Sequence, residues 1–298
     1  MRKIMECVPN FSEGRDLSKV ERLADAFRSK PGVKLLNYSA DPDHNRCVIT
    51  AVGEPLPLRN AVVEAIGAAI ELIDLRTHRG QHPRMGAADV VPFIPLQNCT
   101  MEEADTLAKD TATCVAERYQ LPVYLYEQSA VVEHHRNLAD LRRGEFEGML
   151  HKMQDALWQP DLGPHAPHPT AGVTAIGARG PLVAYNILLD TDDVEIARHI
   201  ARKVRFSSGG LPALKAIGLM IEANGKAQVS MNLTDYHQTG LYAAWEAVRA
   251  EAEQMGVRLL SSELIGLVPM EALAETAARF LKLEGFHMDR VLENHLME

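Results

Sequence analysis

The chain has 298 residues, 46% hydrophobic, 24% charged and 5% aromatic, with a formal net charge of -9. That length sits near the upper limit for one hydrophobic core, so two subdomains are expected. The acidic balance argues against a nucleic-acid or anionic-membrane partner, although a few arginines can still make one cleft anion-selective. No apolar run approaches the roughly 18 residues of a membrane span. Met1 to Cys7 lacks the features of a signal peptide, and Cys7, Cys47, Cys99 and Cys114 are scattered without a CxxC pair. A cytoplasmic protein with reduced thiols is expected.

Ile4 to Val8 reads as a short strand, ended by a polar turn from Pro9 to Arg15. Leu17 to Arg28 places Val20, Leu23, Ala24 and Phe27 at helical spacing. Strands follow at Val33 to Tyr38 and Cys47 to Val52, then an alanine- and valine-rich helix from Pro57 to Ile73. Strand Val90 to Ile94, helix Met101 to Tyr119 and strand Val123 to Leu125 come next. Leu138 to Trp158 reads as one helix, and Pro160 to Pro169 as the proline-rich boundary. Beyond it come strand Leu182 to Leu189, helix Val194 to Phe206, strands Ala216 to Ile221 and Ala227 to Leu233, helix Leu241 to Met255, strand Val257 to Leu260 and helix Pro269 to Leu283. Both halves read strand-helix-strand-strand-helix-strand. The expected fold is α+β: two tandem ferredoxin-like (split βαβ) sandwiches, residues 1–178 and 179–298, with the functional cleft between them.

The segment Arg79-Gly80-Gln81-His82-Pro83-Arg84-Met85-Gly86-Ala87-Ala88-Asp89 carries the densest chemistry. Glycine and proline fix it as a loop ahead of an apolar strand, a rigid mount for a reactive side chain. His82 is the candidate general acid/base, because imidazole changes charge near neutral pH. His78 and His82 have the i, i+4 spacing of zinc ligands, but Gly80 and Pro83 break a helix there, and no metal site is expected. His165 and His168 lie in the proline-rich loop, where two histidines alone do not make a metal centre; His134 and His135 likewise. Asp41 to Arg46 reads equally as an Asx-type turn and as a loop in which Arg46 meets a carboxylate. Ser207 to Pro212 lacks the lysine spacing of a phosphate loop, and neither a dinucleotide fingerprint nor a nucleophile elbow is present.

Several of these segments together resemble glutamate formimidoyltransferase. They are Glu6 to Arg15, His82 to Ala87, Val123 to Tyr126, Val173 to Arg179, Ala227 to Leu233 and Leu264 to Pro269, in family order along nearly the whole chain. The resemblance implies transfer of the formimino group from N-formimino-L-glutamate to N5 of tetrahydrofolate, as in histidine degradation. It implies His82 as the catalytic histidine. It places the folate-contacting loop at Gly163, Pro164, His165, Ala166, Pro167, His168, Pro169, Thr170, Ala171 and Gly172. Both substrates carry carboxylates, so Asn10, Arg46, Arg84 and Arg179 are expected to bind them. Tetrahydrofolate, with or without a polyglutamate tail, is expected as co-substrate rather than as a resident cofactor, in a homodimer of the stand-alone form. The chain has Ser39 and Ala171 where some bifunctional members carry aspartate and tryptophan, leaving the partner of His82 unassigned. The neighbouring activity on such a scaffold is 5-formyltetrahydrofolate cycloligase or related formyl transfer. A metal-dependent hydrolase and a non-catalytic folate-binding protein are weaker readings of the same residues.

Overall fold

A computed structural model describes residues 2–222 and 224–296. The chain divides into two compact units, Met1–Gly180 and Pro181–Glu298. The proline-rich segment at 160–169 lies inside the first unit rather than at the division.

The first unit runs β1 (Ile4–Cys7), β2 (Asn10–Phe11), α1 (Leu17–Asp25), β3 (Val33–Asp41), β4 (Arg46–Gly53), α2 (Pro55–Leu72), β5 (Ala88–Gln97), α3 (Met101–Tyr119) and β6 (Val123–Leu125). Short helices α4 (Glu133–Arg136), α5 (Leu138–Arg142) and α6 (Glu145–Lys152) precede β7 (Thr174–Ala178). β1 and β2 both pair with β4 on one side and β5 on the other, so they form one strand line interrupted at Val8-Pro9. With β3 outside β4, the order β3-β4-β1/β2-β5 is antiparallel throughout, the split βαβ arrangement. β7 and β6 extend this sheet in parallel beyond β5, with β7 in the middle. β7 was not among the expected strands, and it makes the first unit larger than a plain split βαβ sandwich.

Helix ends follow their sequence signals. Asp16 caps α1 by accepting from Ser18 N and Lys19 N. A proline in the first turn starts α2, and Thr100 with Glu103 forms a capping box on α3. The three helices bury Val20, Leu23, Leu58, Ile66, Ala108 and Val115 against one face of the sheet, where Cys7, Phe11, Cys47, Ile49, Phe93 and Ile176 point. Strand alternation sends the intervening residues to the opposite face. There α5 and α6 cover only the β5–β7–β6 end, packing Leu141, Met149 and Met153 on Val90, Tyr124, Val173 and Ala175. Glu6, Asn10, Arg46 and Val48 alternate with the helix-side residues on the remainder of that face and are only half-buried.

The single helix expected from Leu138 to Trp158 is broken. Gly144 stands at φ +93° and Glu145 at +53°, a left-handed break between α5 and α6, and a 3-10 turn covers Ala156–Trp158. α5 is a short strut that buries Leu141 and ends at Arg142, and α6 buries Met149.

The second unit contains β8 (Val183–Leu189), α7 (Val194–Val204), β9 (Leu214–Ile221), β10 (Lys226–Leu233), α8 (Leu241–Gln254), β11 (Leu259–Ile265) and α9 (Met270–Leu281). Its antiparallel order β11-β8-β10-β9 is again split βαβ. α7 and α8 bury Ile200, Val204, Ala244 and Val248 against Ile187, Val229 and Met231. β11 runs past the expected Val257 to Leu260 as far as Ile265, although its polar core Ser261-Ser262-Glu263 has no apolar run. Pairing with β8 makes it a strand, not its own composition.

Candidate active site

Four segments separated in sequence interlock at the β2–β5 end of the first unit. Ser12, just past β2, donates from Oγ to the Gly86 carbonyl at 2.7 Å, and its N–H reaches Ala87 O at 2.9 Å. Asn45 joins three loops: its Oδ1 accepts from Gly14 N (2.9 Å), its Nδ2 donates to Arg79 O (2.9 Å), and its own carbonyl accepts from His78 Nε2 (2.8 Å). The loop before β5 then zips onto the loop before β7. Ala87 N donates to Ala171 O (2.9 Å) and Val173 N to Met85 O (3.0 Å), around a bridge between Gly86 and Gly172. A Cβ on Gly86 would lie 1.9 Å from Val173 O, and one on Gly172, at φ +69°, 2.1 Å from Met85 O. Only glycine lets these two backbones approach so closely.

His82 sits in this framework with its ring partly exposed. Its Nε2 lies 2.6 Å from Arg46 Nη1. A guanidinium can only donate, so Nε2 is the acceptor and the ring is neutral. Burial, reinforced by the charges of Arg46, Arg142 and His44, holds the imidazole far below its ordinary pKa. His44 packs edge-on against His82 at 6.4 Å between ring centroids, and its Nδ1 pairs with Asp41 at 2.7 Å. Asp41 also accepts from Asp43 N and His44 N, so the turn before β4 is of Asx type and at the same time delivers Arg46 to the histidine.

The sequence reading missed that Asp89 pairs with Arg142. The register of β2 against β5 jumps from Asn10↔Val90 to Phe11↔Ala88, leaving Asp89 as the extra residue of a β-bulge. Its carboxylate, 2% exposed, accepts from Met85 N at 2.8 Å and from Arg142 Nη2 at 2.5 Å. Lys152 holds the end of the strut that carries Arg142: its ammonium donates to Asp140 O (2.5 Å) and Leu141 O (2.7 Å) and lies over the Trp158 ring. That burial lowers its pKa to about 8.

The other expected residues have definite placements. Arg84 is 5% exposed and engaged by Glu145 and Glu147 (each 2.7 Å), with Nε on His78 Nδ1 at 3.2 Å; it ties α6 to the histidine loop. His78 therefore uses both ring nitrogens within the protein, and burial keeps it neutral. A pocket of about 380 Å3 beside this tie is lined by Arg79, Gly80, Arg84, Gly144, Glu145 and Glu147, and not by His82. Arg179, at the end of β7, donates to Gly180 O at 2.8 Å, and its charge works against, without cancelling, the burial that raises the Glu6 pKa. Asn10 donates to Val8 O at 3.0 Å. In the Gly163–Gly172 loop, His168 accepts on Nδ1 from Ala171 N at 3.0 Å and exchanges backbone bonds with Gly172, so it shapes its own loop. His165 pairs with Gln159, and His135 with Asp161 at 3.0 Å. Among the described residues, the one cluster of metal-ligand type is His237, Glu271 and Glu275 in the second unit, outside the candidate site.

A neutral histidine flanked by two guanidinium groups, on the open end of an α+β unit, is equipment for acid–base chemistry on an anionic ligand. Residues 4–179 match the formiminotransferase domain, N-terminal subdomain, and residues 184–297 match the formiminotransferase domain. A glutamate formimidoyltransferase of Streptococcus pyogenes is 45% identical over 100% of both chains. One from Thermoplasma acidophilum is 43% identical, covering 98% of this chain and 97% of that one. The formimidoyltransferase-cyclodeaminase of Rattus norvegicus is 39% identical over 99% of this chain and 57% of its own length. The chain belongs to the formiminotransferase family.

Proposed function

We propose that the protein is a glutamate formimidoyltransferase, moving the formimino group of N-formimino-L-glutamate to N5 of tetrahydrofolate and releasing L-glutamate. The observation that carries this reading is the neutral His82, 2.6 Å from Arg46 and packed in the framework that also fixes the Gly163–Gly172 loop. The two relatives that match along their whole lengths bear this activity in their names. In the reaction N5 attacks the formimino carbon, and His82 accepts the N5 proton at Nε2. The tetrahedral adduct collapses as the same imidazole returns that proton to the departing glutamate nitrogen. Protons balance, and general catalysis of this kind contributes about 10²–10⁴-fold. Holding both substrates at one histidine supplies a large share of the remainder.

The loop from Gly163 to Gly172 is the proposed folate contact, and Asn10, Arg46 and Arg179 the proposed substrate contacts. Arg84 contributes by holding the loop. Tetrahydrofolate then acts as a co-substrate, with or without a polyglutamate tail, in a cytoplasmic homodimer. Four unpaired cysteines fit a reducing compartment. The exposed Phe280, Leu281 and Leu283 around the end of α9 give a subunit contact apolar surface to cover.

The test is direct. Purified protein given N-formimino-L-glutamate and tetrahydrofolate should form 5-formiminotetrahydrofolate, and His82→Ala should abolish this while keeping folate binding. Turnover of 5-formyltetrahydrofolate with none of formiminoglutamate would select the cycloligase reading instead. Unchanged transfer by His82→Ala would remove the histidine from the mechanism.

A further inference from the structure

We infer that Arg46 is a carboxylate-operated latch on the base: it covers His82 Nε2 in the free protein, and the carboxylate of the donor draws it off into a subsite shared with Arg142. The identity of that donor rests on the formimino-transfer reading; the latch itself rests on geometry.

The Nε2 lone pair that has to accept a proton is already occupied. Arg46 Nη1 stands 2.6 Å from it, and a guanidinium has no lone pair to offer in exchange. An amine approaching His82 therefore meets a blocked base. The block is held by a charged donor on a neutral acceptor, and a carboxylate is the better acceptor. A two-pronged guanidinium–carboxylate pair, charged on both sides, is stronger than a single bond to a neutral imidazole.

Arg142 supplies the other wall of the subsite. Its Nη2 is held by Asp89, but its Nε–H is buried with no partner among the described residues. The charged groups around His82 are Arg46 from β4, Arg142 from α5, Asp89 from β5, and the His44–Asp41 pair from the β3–β4 turn. Both carboxylates that act on Arg46 are already engaged, Asp41 by His44 and Asp89 by Arg142. Each guanidinium depresses the proton affinity of its neighbours: Arg142 lowers Arg46, and both lower His82. A carboxylate seated between the arginines balances that charge. It also supplies the acceptor that Arg142 Nε lacks and takes the hydrogen bond of Arg46. Nε2 is then uncovered, and its basicity rises when the donor is in place.

The consequence is that a donor's carboxylate does two jobs, anchoring the molecule and arming the base. An amidine of similar size without a carboxylate would lose turnover as well as affinity.

The experiment is a pH titration of His82 by long-range ¹H–¹⁵N NMR on the full chain. It is run without ligand, with L-glutamate, with glutarate, and with butylamine as a carboxylate-free control. The expected result is a rise in the His82 pKa of at least one unit with saturating glutamate or glutarate, and none with butylamine. Arg46→Gln should raise that pKa without any ligand and shrink the response to glutamate. A His82 titration indifferent to both dicarboxylates overturns the latch, as does an Arg46→Gln protein whose His82 titrates like the natural one. Failure of either carboxylate to bind also overturns it. A glutarate response in a protein that never turns over formiminoglutamate keeps the latch and sinks the functional reading, so the two fail separately.

Discussion

At the scale of single residues the decisive contacts are made by charge on charge in a partly dry environment. Asp89 is the counterion that lets Arg142 stand beside another cation, and it is 2% exposed. Replacing it with asparagine leaves a buried guanidinium facing an amide that cannot balance its charge. Breaking a buried pair costs about 3–5 kcal/mol, and the 15% of the Arg142 side chain that remains exposed trims this to roughly 3. We expect Asp89→Asn to lower the urea midpoint accordingly. It should also raise the KM for formiminoglutamate about tenfold while leaving that for tetrahydrofolate nearly unchanged. Equal losses for both substrates would mean that Asp89 acts only through stability.

At the scale of elements, the site is held together by two loops zipped backbone to backbone. Alanine at Gly86 would drive a methyl to 1.9 Å from Val173 O, and neither strand end can retreat without breaking the zipper. Gly86→Ala should therefore destabilise the protein by roughly 2–3 kcal/mol, read as a lower thermal midpoint, and lower transfer activity with it. Alanine at Gly148, inside α6 where an added methyl meets open space, is the control and should leave stability unchanged or raise it by up to about 1 kcal/mol. Much of this arrangement was legible in the sequence. Gly80, Pro83 and Gly86 marked a fixed loop around His82, and Asp41 to Arg46 carried its turn chemistry openly. β7 was not legible, because Thr174-Ala175-Ile176-Gly177-Ala178 is too small and even to show alternation. It is a strand because β5 and β6 flank it. The break at Gly144 was not legible either, because Leu138 to Trp158 reads as one continuous helix and a single glycine within it does not announce a left-handed turn. The Asp89–Arg142 pair spans 53 residues and depends on a bulge that no local pattern encodes.

At the scale of the whole molecule, several histidines are folded in their neutral form. Burial lowers the pKa of His78, His82 and His168 from the ordinary 6.5. A neutral folded histidine binds no proton where the unfolded chain does. The stability it permits is thus complete above pH 6.5 and is lost as pH falls from there toward the folded pKa. Each fully suppressed proton costs about 1.4 kcal/mol per pH unit in that window, somewhat less for the partly exposed rings. The urea midpoint should fall between pH 7 and pH 5. His78→Gln should flatten that slope, and an unchanged slope would show that His78 protonates freely in the folded state. The described residues that contact or bias His82 all belong to the first unit.

β7 is the last strand of its unit to be synthesised, yet it lies between two that precede it. β5 and β6 do not pair with each other, so while the chain is being made they wait as unsatisfied edges about an inter-strand spacing too far apart. They can be joined only after Ala178 has left the ribosome. The same late arrival brings Ala171 and Val173 onto Met85 and Ala87, which locks the histidine loop. A nascent chain released before that point would expose two parallel-strand edges at once. Unpaired strand edges are an aggregation hazard, and the strand that closes them here is the one that completes the reactive centre.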